Sequence, residues 1–185
     1  MGTSHLVMGE LTDYLTGQSL PDTHDERLIQ KISRFLVEGK GFSKKDILSR
    51  QKMTVTVDDK KGTVTVHFII RVNNISFAVV LYGPGSIVTR QRPTIAVARL
   101  LEKEYIIPYC LITNGKEANL METKTGKVIE KDLNSIFSKD ESIALLKDFH
   151  IETLTNDRRE KEQRILYTMD ILTENECKEF VCKVC

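Results

Sequence analysis

The sequence predicts an α/β fold: a mixed β-sheet core in the order α-β-β-β-α-β, with helices on both faces and an added C-terminal helix. Three observations lead there. An apolar run at helical spacing over 24–36 precedes two strictly alternating segments. A near-continuous apolar strand, Ile75 to Leu81, follows them, and a helical segment then separates it from a second apolar strand, Pro108 to Thr113. Meander strands followed by a crossover helix and another strand put antiparallel and parallel pairing in one sheet.

Composition sets the bounds. The 185 residues are 41% hydrophobic and 29% charged, which suits one compact domain with a core and a small appendage. A net charge of +1 gives no global field toward nucleic acid or membrane, so any nucleic-acid surface has to be a local patch. The first residues lack a basic segment followed by an apolar one, and no stretch approaches the roughly 18 apolar residues of a membrane span. The expectation is a cytoplasmic protein without a membrane contact.

The elements follow in order. Residues 1–22 contain Gly2, Gly9, Gly17 and Pro21 without a sustained period and read as an extended arm. Leu28, Ile29, Ile32, Phe35 and Leu36 form a helical stripe, with Thr23 or Asp25 as cap and Gly39 and Gly41 after it. Met53, Val55 and Val57 share one face of a strand; "DDKKG" turns the chain. Val64, Val66, Phe68, Ile70 and Val72 are expected on one face of the next strand. Asn73-Asn74 makes a second tight turn, and Ile75 to Leu81 is apolar on both faces, as a central strand should be.

After "GPGS", Ile95, Ala96, Ala98, Leu100 and Leu101 mark a helix with Pro93 in its first turn. The strand at 108–113 ends in "NG"; Ala118 to Met121 and Lys127 to Ile129 form a short hairpin around "KTG". Ser138, with Glu141 three residues on, is a capping box for a helix to Phe149. A charged helix runs from Asp157 to about Cys177 with Ile165, Leu166, Met169 and Leu172 on one side. The chain thus divides into an arm (1–22), a core domain (23–150) and a C-terminal helix with a cysteine-bearing tail (151–185).

Two stretches carry a resemblance. "HDERLIQKISRFLVEGKGFSKKDI" places an acidic residue at the start of an apolar helix that leads into a glycine turn. "GPGSIVTRQRPTIAVARLLEKEYIIPYCLITNGKEANLMETKTGKVI" combines a Gly-Ser turn, an arginine-bearing helix, an Ile-Pro strand entry and a Thr-Asn-Gly strand exit. Over residues 24–137 the chain resembles the N-terminal domain of type I restriction endonuclease R subunits, within the PD-(D/E)xK nuclease superfamily. The resemblance implies a restriction-endonuclease-like core and a Mg²⁺ site built from an aspartate on the second strand and a Glu-x-Lys pair on the third. Two carboxylates would hold the metal that activates water, and the lysine would support the nucleophile or the developing charge.

Matched strand to strand, His67 stands at the aspartate position, Leu81 at the glutamate and Gly83 at the lysine. Only Glu26, on the first helix, remains as an accessory carboxylate. The resemblance therefore implies a retained fold with degenerate cutting chemistry. Mg²⁺ enters only under the alternative of an active endonuclease with other ligands. His67 by itself reads more simply as a hydrogen-bonded structural residue, and Glu26 as a helix-start carboxylate.

Gly83, Gly85 and Ser86, followed by Arg90, Arg92 and Arg99, form a candidate DNA or phosphate site. Glycines let backbone approach a phosphate, N–H groups at a helix start attract anions, and arginines there oppose the helix dipole unless an anion binds. The competing reading is a plain tight turn. Cys177, Cys182 and Cys185 could hold Zn²⁺ with a fourth ligand from elsewhere, or act as free thiols. Arg158, Arg159, Lys161 and Arg164, interleaved with Asp157, Glu160 and Glu162, read as a solvated helical face.

Three functional readings result. The first is a degenerate nuclease-fold module that binds DNA, a protein partner or a second copy of itself. The second is an active Mg²⁺-dependent endonuclease, and the third a metal- or thiol-dependent regulatory protein working through its terminal cysteines.

Overall fold

The computed structural model describes residues 7–171. Its core is a six-stranded mixed sheet in the order β3-β4-β5-β6-β7-β8, where β3 is Ile47–Val57, β4 Lys60–Val72, β5 Ile75–Tyr82, β6 Tyr109–Thr113, β7 Ala118–Glu122 and β8 Val128–Glu130. All neighbours are antiparallel except β5 and β6, which run parallel and are joined through helix α2, Val88–Leu100. This is the restriction-endonuclease-like order expected, with helix α1 (His24–Arg34) before the meander and helices α3 (Lys139–Lys147) and α4 (Asn156–Leu166) after it.

Local chemistry sets the boundaries. Thr23 caps α1, its hydroxyl accepting from Glu26 N–H at 3.1 Å, and acidic Asp25 and Glu26 complement the helix start. Asn73 and Asn74 both adopt positive φ (50° and 66°), the two left-handed residues that a two-residue hairpin requires. The capping box at Ser138 and Glu141 is present.

Two apolar layers hold the sheet. On one face Val79, Leu81, Cys110 and Ile112 pack against Ile95, Ala96 and Val97 of α2 and Leu166 of α4. On the other, Val80, Tyr82, Leu111 and Leu120 pack against Ile29, Ile32 and Leu36 of the first helical segment, with Ile143 of α3 alongside. Helices therefore cover both faces, and β5, third of six strands, is buried along most of its length.

Several expectations are corrected. The segment before α1 is not wholly irregular: β1 (Glu10–Thr12) and β2 (Ser19–Pro21) pair as a small antiparallel hairpin. Val64 through Val72 do not share one face. Val64 and Val66 join the α2–α4 layer, whereas Phe68, Ile70 and Val72 join the α1 layer. The change of side falls at His67 and its neighbour across the ladder, Arg50, which has left-handed backbone (φ 53°), while the pairing register stays constant across it. β3 changes side at the same step, with Ile47 in the α1 layer and Met53 and Val55 in the α2–α4 layer, and there the left-handed Arg50 interrupts the alternation, which a pattern of apolar residues cannot reveal.

Pro93 lies inside α2 rather than in its first turn, because the helix starts five residues earlier, at Val88. The buried side of α4 and the π-helical turn that follows it (Tyr167–Ile171) is Glu162, Leu166 and Ile171. Ile165 is half-buried and Met169 exposed, and Leu172 lies outside the described residues. The wider π-helical turn shifts the inward position by one residue. No helix among the described residues is long and apolar enough to cross a membrane.

Candidate functional site

The candidate site lies where β5 ends. Tyr82 is the last strand residue, and Gly83 N–H still donates to Thr113 O of β6 at 3.0 Å. Gly85 takes φ 86°, and Asn114 Nδ2 donates to its carbonyl at 2.9 Å, tying this turn to the turn after β6. Arg90, in the first turn of α2, lies back across Gly83: a Cβ at position 83 would sit 2.5 Å from Arg90 Cδ and 2.7 Å from Nε. The missing side chain of Gly83 is what gives the Arg90 side chain its place.

Beside it is a pocket of about 320 Å³ whose lining includes His67, Leu81, Tyr82, Arg90, Thr94 and Asp170. His67 Nδ1 accepts the Tyr82 backbone N–H at 3.3 Å, and the two rings meet edge-on with centroids 6.1 Å apart. Burial pulls the imidazole pKa down to about 4, with Arg50 and Arg90 adding to the effect and Asp25 opposing it. The ring is therefore neutral at pH 7 and, with Nδ1 accepting, carries its proton on Nε2. The Tyr82 hydroxyl donates to Asp25 at 2.7 Å, and its pKa rises through burial and that contact.

A carboxylate network adjoins this pair. Glu26 accepts from Arg50 Nη2 at 2.5 Å and from Gln30 Nε2 at 2.8 Å. Gln30 Nε2 also donates to Asp13 at 2.7 Å, and Gln30 Oε1 accepts from Tyr14 N–H, so the β1–β2 hairpin is pinned to α1. Asp13 is 2% exposed; burial raises its pKa, but hydrogen bonds from Thr16 and Gln30 and the charge of Arg50 outweigh that and leave it lowered. Asp13 and Arg50 were not legible as members of this network, since they lie on elements separate from α1 whose local patterns say nothing of their meeting; Gln30, four residues on from Glu26 in α1, is the member that helical spacing places beside it.

This donor set does not suit a hard cation. Mg²⁺ asks for several free oxygens near octahedral geometry. Here Leu81 and Gly83 offer no side-chain oxygen, His67 has one nitrogen committed, and Glu26 is engaged by an arginine and an amide. Among the described residues, no group of three or more His, Cys, Asp or Glu side chains is placed to hold a metal ion.

The arginines part company. Arg90 reaches the pocket; Arg92 and Arg99 do not stand free beside it. Glu162, read from the sequence as solvated, is fully buried at 0% exposure, which corrects that expectation. Its Oε1 accepts from Arg99 Nη1 at 2.6 Å and from Arg158 Nε at 2.9 Å, and Arg92 ion-pairs with Oε2 at 2.6 Å outside hydrogen-bond geometry. Arg99 further donates to the carbonyls of Thr123 and Lys124. Burial raises the Glu162 pKa, and the arginines reverse this and hold it low. Arg71 caps the Asn73-Asn74 turn by donating to Asn74 O, at the other end of the sheet. Cys110 is buried, its thiol pKa pushed up to about 12 by desolvation, and so is unreactive. Cys177, Cys182 and Cys185 lie outside the described residues.

No curated protein and no solved structure matches the chain. A sequence model of the type I restriction enzyme R protein N terminus matches residues 24–137, from the start of α1 to the approach to α3. That span is more than half of the chain and holds the strand end, His67, Tyr82 and Arg90, and the protein accordingly belongs to the type I restriction enzyme R protein N-terminal family.

Proposed function

We propose that this domain is a catalytically degenerate member of the restriction-endonuclease-like fold that binds DNA through a backbone phosphate at the end of β5, without a metal ion. The observation that carries the reading is Arg90 lying across Gly83. A cation supplied by α2 occupies the direction in which a lysine at position 83 would project. The positions that would supply metal-binding carboxylates hold His67 and Leu81 instead. Neutral His67 offers an Nε2–H, Arg90 a guanidinium and the 83–86 turn its backbone amides, all of which suit a phosphodiester anion. Arg92 and Arg99 belong to the Glu162 cluster and are left out of the contact.

Binding of a labelled DNA duplex in EDTA, measured across a salt series, tests this. Arg90→Glu should weaken binding at least ten-fold and reduce the steepness of its salt dependence by about one phosphate contact. Unchanged binding and salt slope would remove the proposal. Cleavage of DNA with Mg²⁺ or Mn²⁺, lost in Glu26→Ala or His67→Ala, would replace it with the active-endonuclease reading.

A further inference from the structure

At the opposite end of β5 the fold builds a second pocket, of about 330 Å³, between the sheet and the segment joining α3 to α4. Its lining includes the rings of Phe77, Tyr109 and Phe149. These rings are fixed by their neighbours. Phe77 and Tyr109 stand 5.2 Å apart between centroids, Tyr109 packs on Phe137 at 4.7 Å, and Phe149 meets Tyr105 edge-on at 6.3 Å. Three carboxylates, Glu122, Asp148 and Glu152, line the same pocket against the single ammonium of Lys124. Lys124 pairs with Glu152 and is 64% exposed in its side chain, so its charge is largely screened. Glu122 faces Tyr109 directly across the β6–β7 ladder.

We infer that this pocket binds an arginine side chain presented by a partner protein. Aromatic faces attract a cation through their negative quadrupole, and a planar guanidinium can stack on a ring while donating to carboxylates at its edge. The negative balance favours a cation over a neutral or anionic group. Leu145, an exposed apolar side chain at 38%, lines the same pocket, and Ile151, 70% exposed, lies in sequence between the lining residues His150 and Glu152, so the residues beside such an arginine have apolar surface to cover. The site shares no lining residue with the strand-end pocket, and the inference does not depend on DNA binding.

The test uses the full chain with isotope-labelled Phe and Tyr rings, followed by NMR. The probes are the blocked tripeptide Leu-Arg-Leu, its citrulline counterpart and arginine amide. Citrulline keeps the shape of arginine and removes the charge. The arginine tripeptide should shift the Tyr109 and Phe149 resonances saturably, at least ten-fold more tightly than the citrulline peptide or arginine amide. The double variant Glu122→Gln, Asp148→Asn, both at partly or fully exposed positions, should abolish the preference for arginine over citrulline. Equal binding of the citrulline peptide, shifts mapping elsewhere or no saturable binding at millimolar concentration would overturn the inference. Arginine amide binding as tightly as the tripeptide would overturn the assignment to a protein segment.

Discussion

Replacing Glu162 with glutamine tests the largest departure from the sequence reading. The change keeps the shape of the side chain and removes its charge. In the wild type one buried carboxylate faces three guanidinium groups, of which Arg99 is 9% exposed in its side chain, Arg92 33% and Arg158 49%. Arg158 can turn to water, and Arg92 can do so in part. Arg99 cannot, although it keeps the carbonyls of Thr123 and Lys124 as acceptors. Breaking a buried pair from one side costs about 3–5 kcal/mol; the retained carbonyls put this case at the lower end, about 3 kcal/mol. For a domain of this size that corresponds to a fall in Tm of roughly 6–12 °C. Urea unfolding should show a lower midpoint at unchanged m-value. In a double-mutant cycle with Arg99→Met, the combined loss should fall short of the sum by about 1 kcal/mol or more. A loss below about 1 kcal/mol with additive behaviour would refute the view that this cluster fastens α4 to α2. The acid side has a definite sign too. Because the folded pKa of Glu162 is lowered, its contribution is present at neutral pH and lost as pH falls through that folded value, and Glu162→Gln should flatten that part of the profile.

Changes at three further positions have expected outcomes. His67 titrates near 4 when folded against about 6.5 when unfolded, so the unfolded chain takes up the proton first. Stability should fall by up to about 3 kcal/mol as pH drops from 6.5 to 4, and His67→Gln should lose much of that fall in urea titrations; identical profiles would count against a buried neutral ring. At Gly62 a new Cβ would come within 2.5 Å of Ile171 Cγ2, so Gly62→Ala should loosen the turn after α4 and cost about 1–3 kcal/mol, read as a lower urea midpoint. Gly83→Ala meets only the flexible Arg90 side chain and needs no positive φ, so thermal melting should show less than about 1 kcal/mol of change. The same variant should weaken duplex binding in EDTA by displacing Arg90; unaltered binding would show that the arginine has no contact there.

Local patterns determined much of this protein. The apolar patterns of β3 and β4, the double asparagine before β5, the apolar run of β5 and the Ser138–Glu141 box each act over a few residues, so the order of helices and strands from α1 to α4 was readable in advance, though not the β1–β2 hairpin before it. The glycine-rich stop after Tyr82 likewise marked where β5 ends, and the absence of a carboxylate at 81 and a lysine at 83 was plain from the residue types. What tertiary structure alone decided was the pairing of charges. Glu162 looks like its solvated neighbours in α4, yet packing of α4 against α2 buries it among Arg92, Arg99 and Arg158 and takes two arginines away from the phosphate contact that the sequence suggested and we propose for Arg90. Asp13, Glu26, Gln30 and Arg50 meet because a hairpin, a helix and an edge strand converge. At the left-handed Arg50 and the facing His67, β3 and β4 both change the layer that their apolar residues join. Periodicity records which residues avoid water along one element, whereas the partner of a buried charge is set by elements distant in sequence, and only the folded chain brings them within reach.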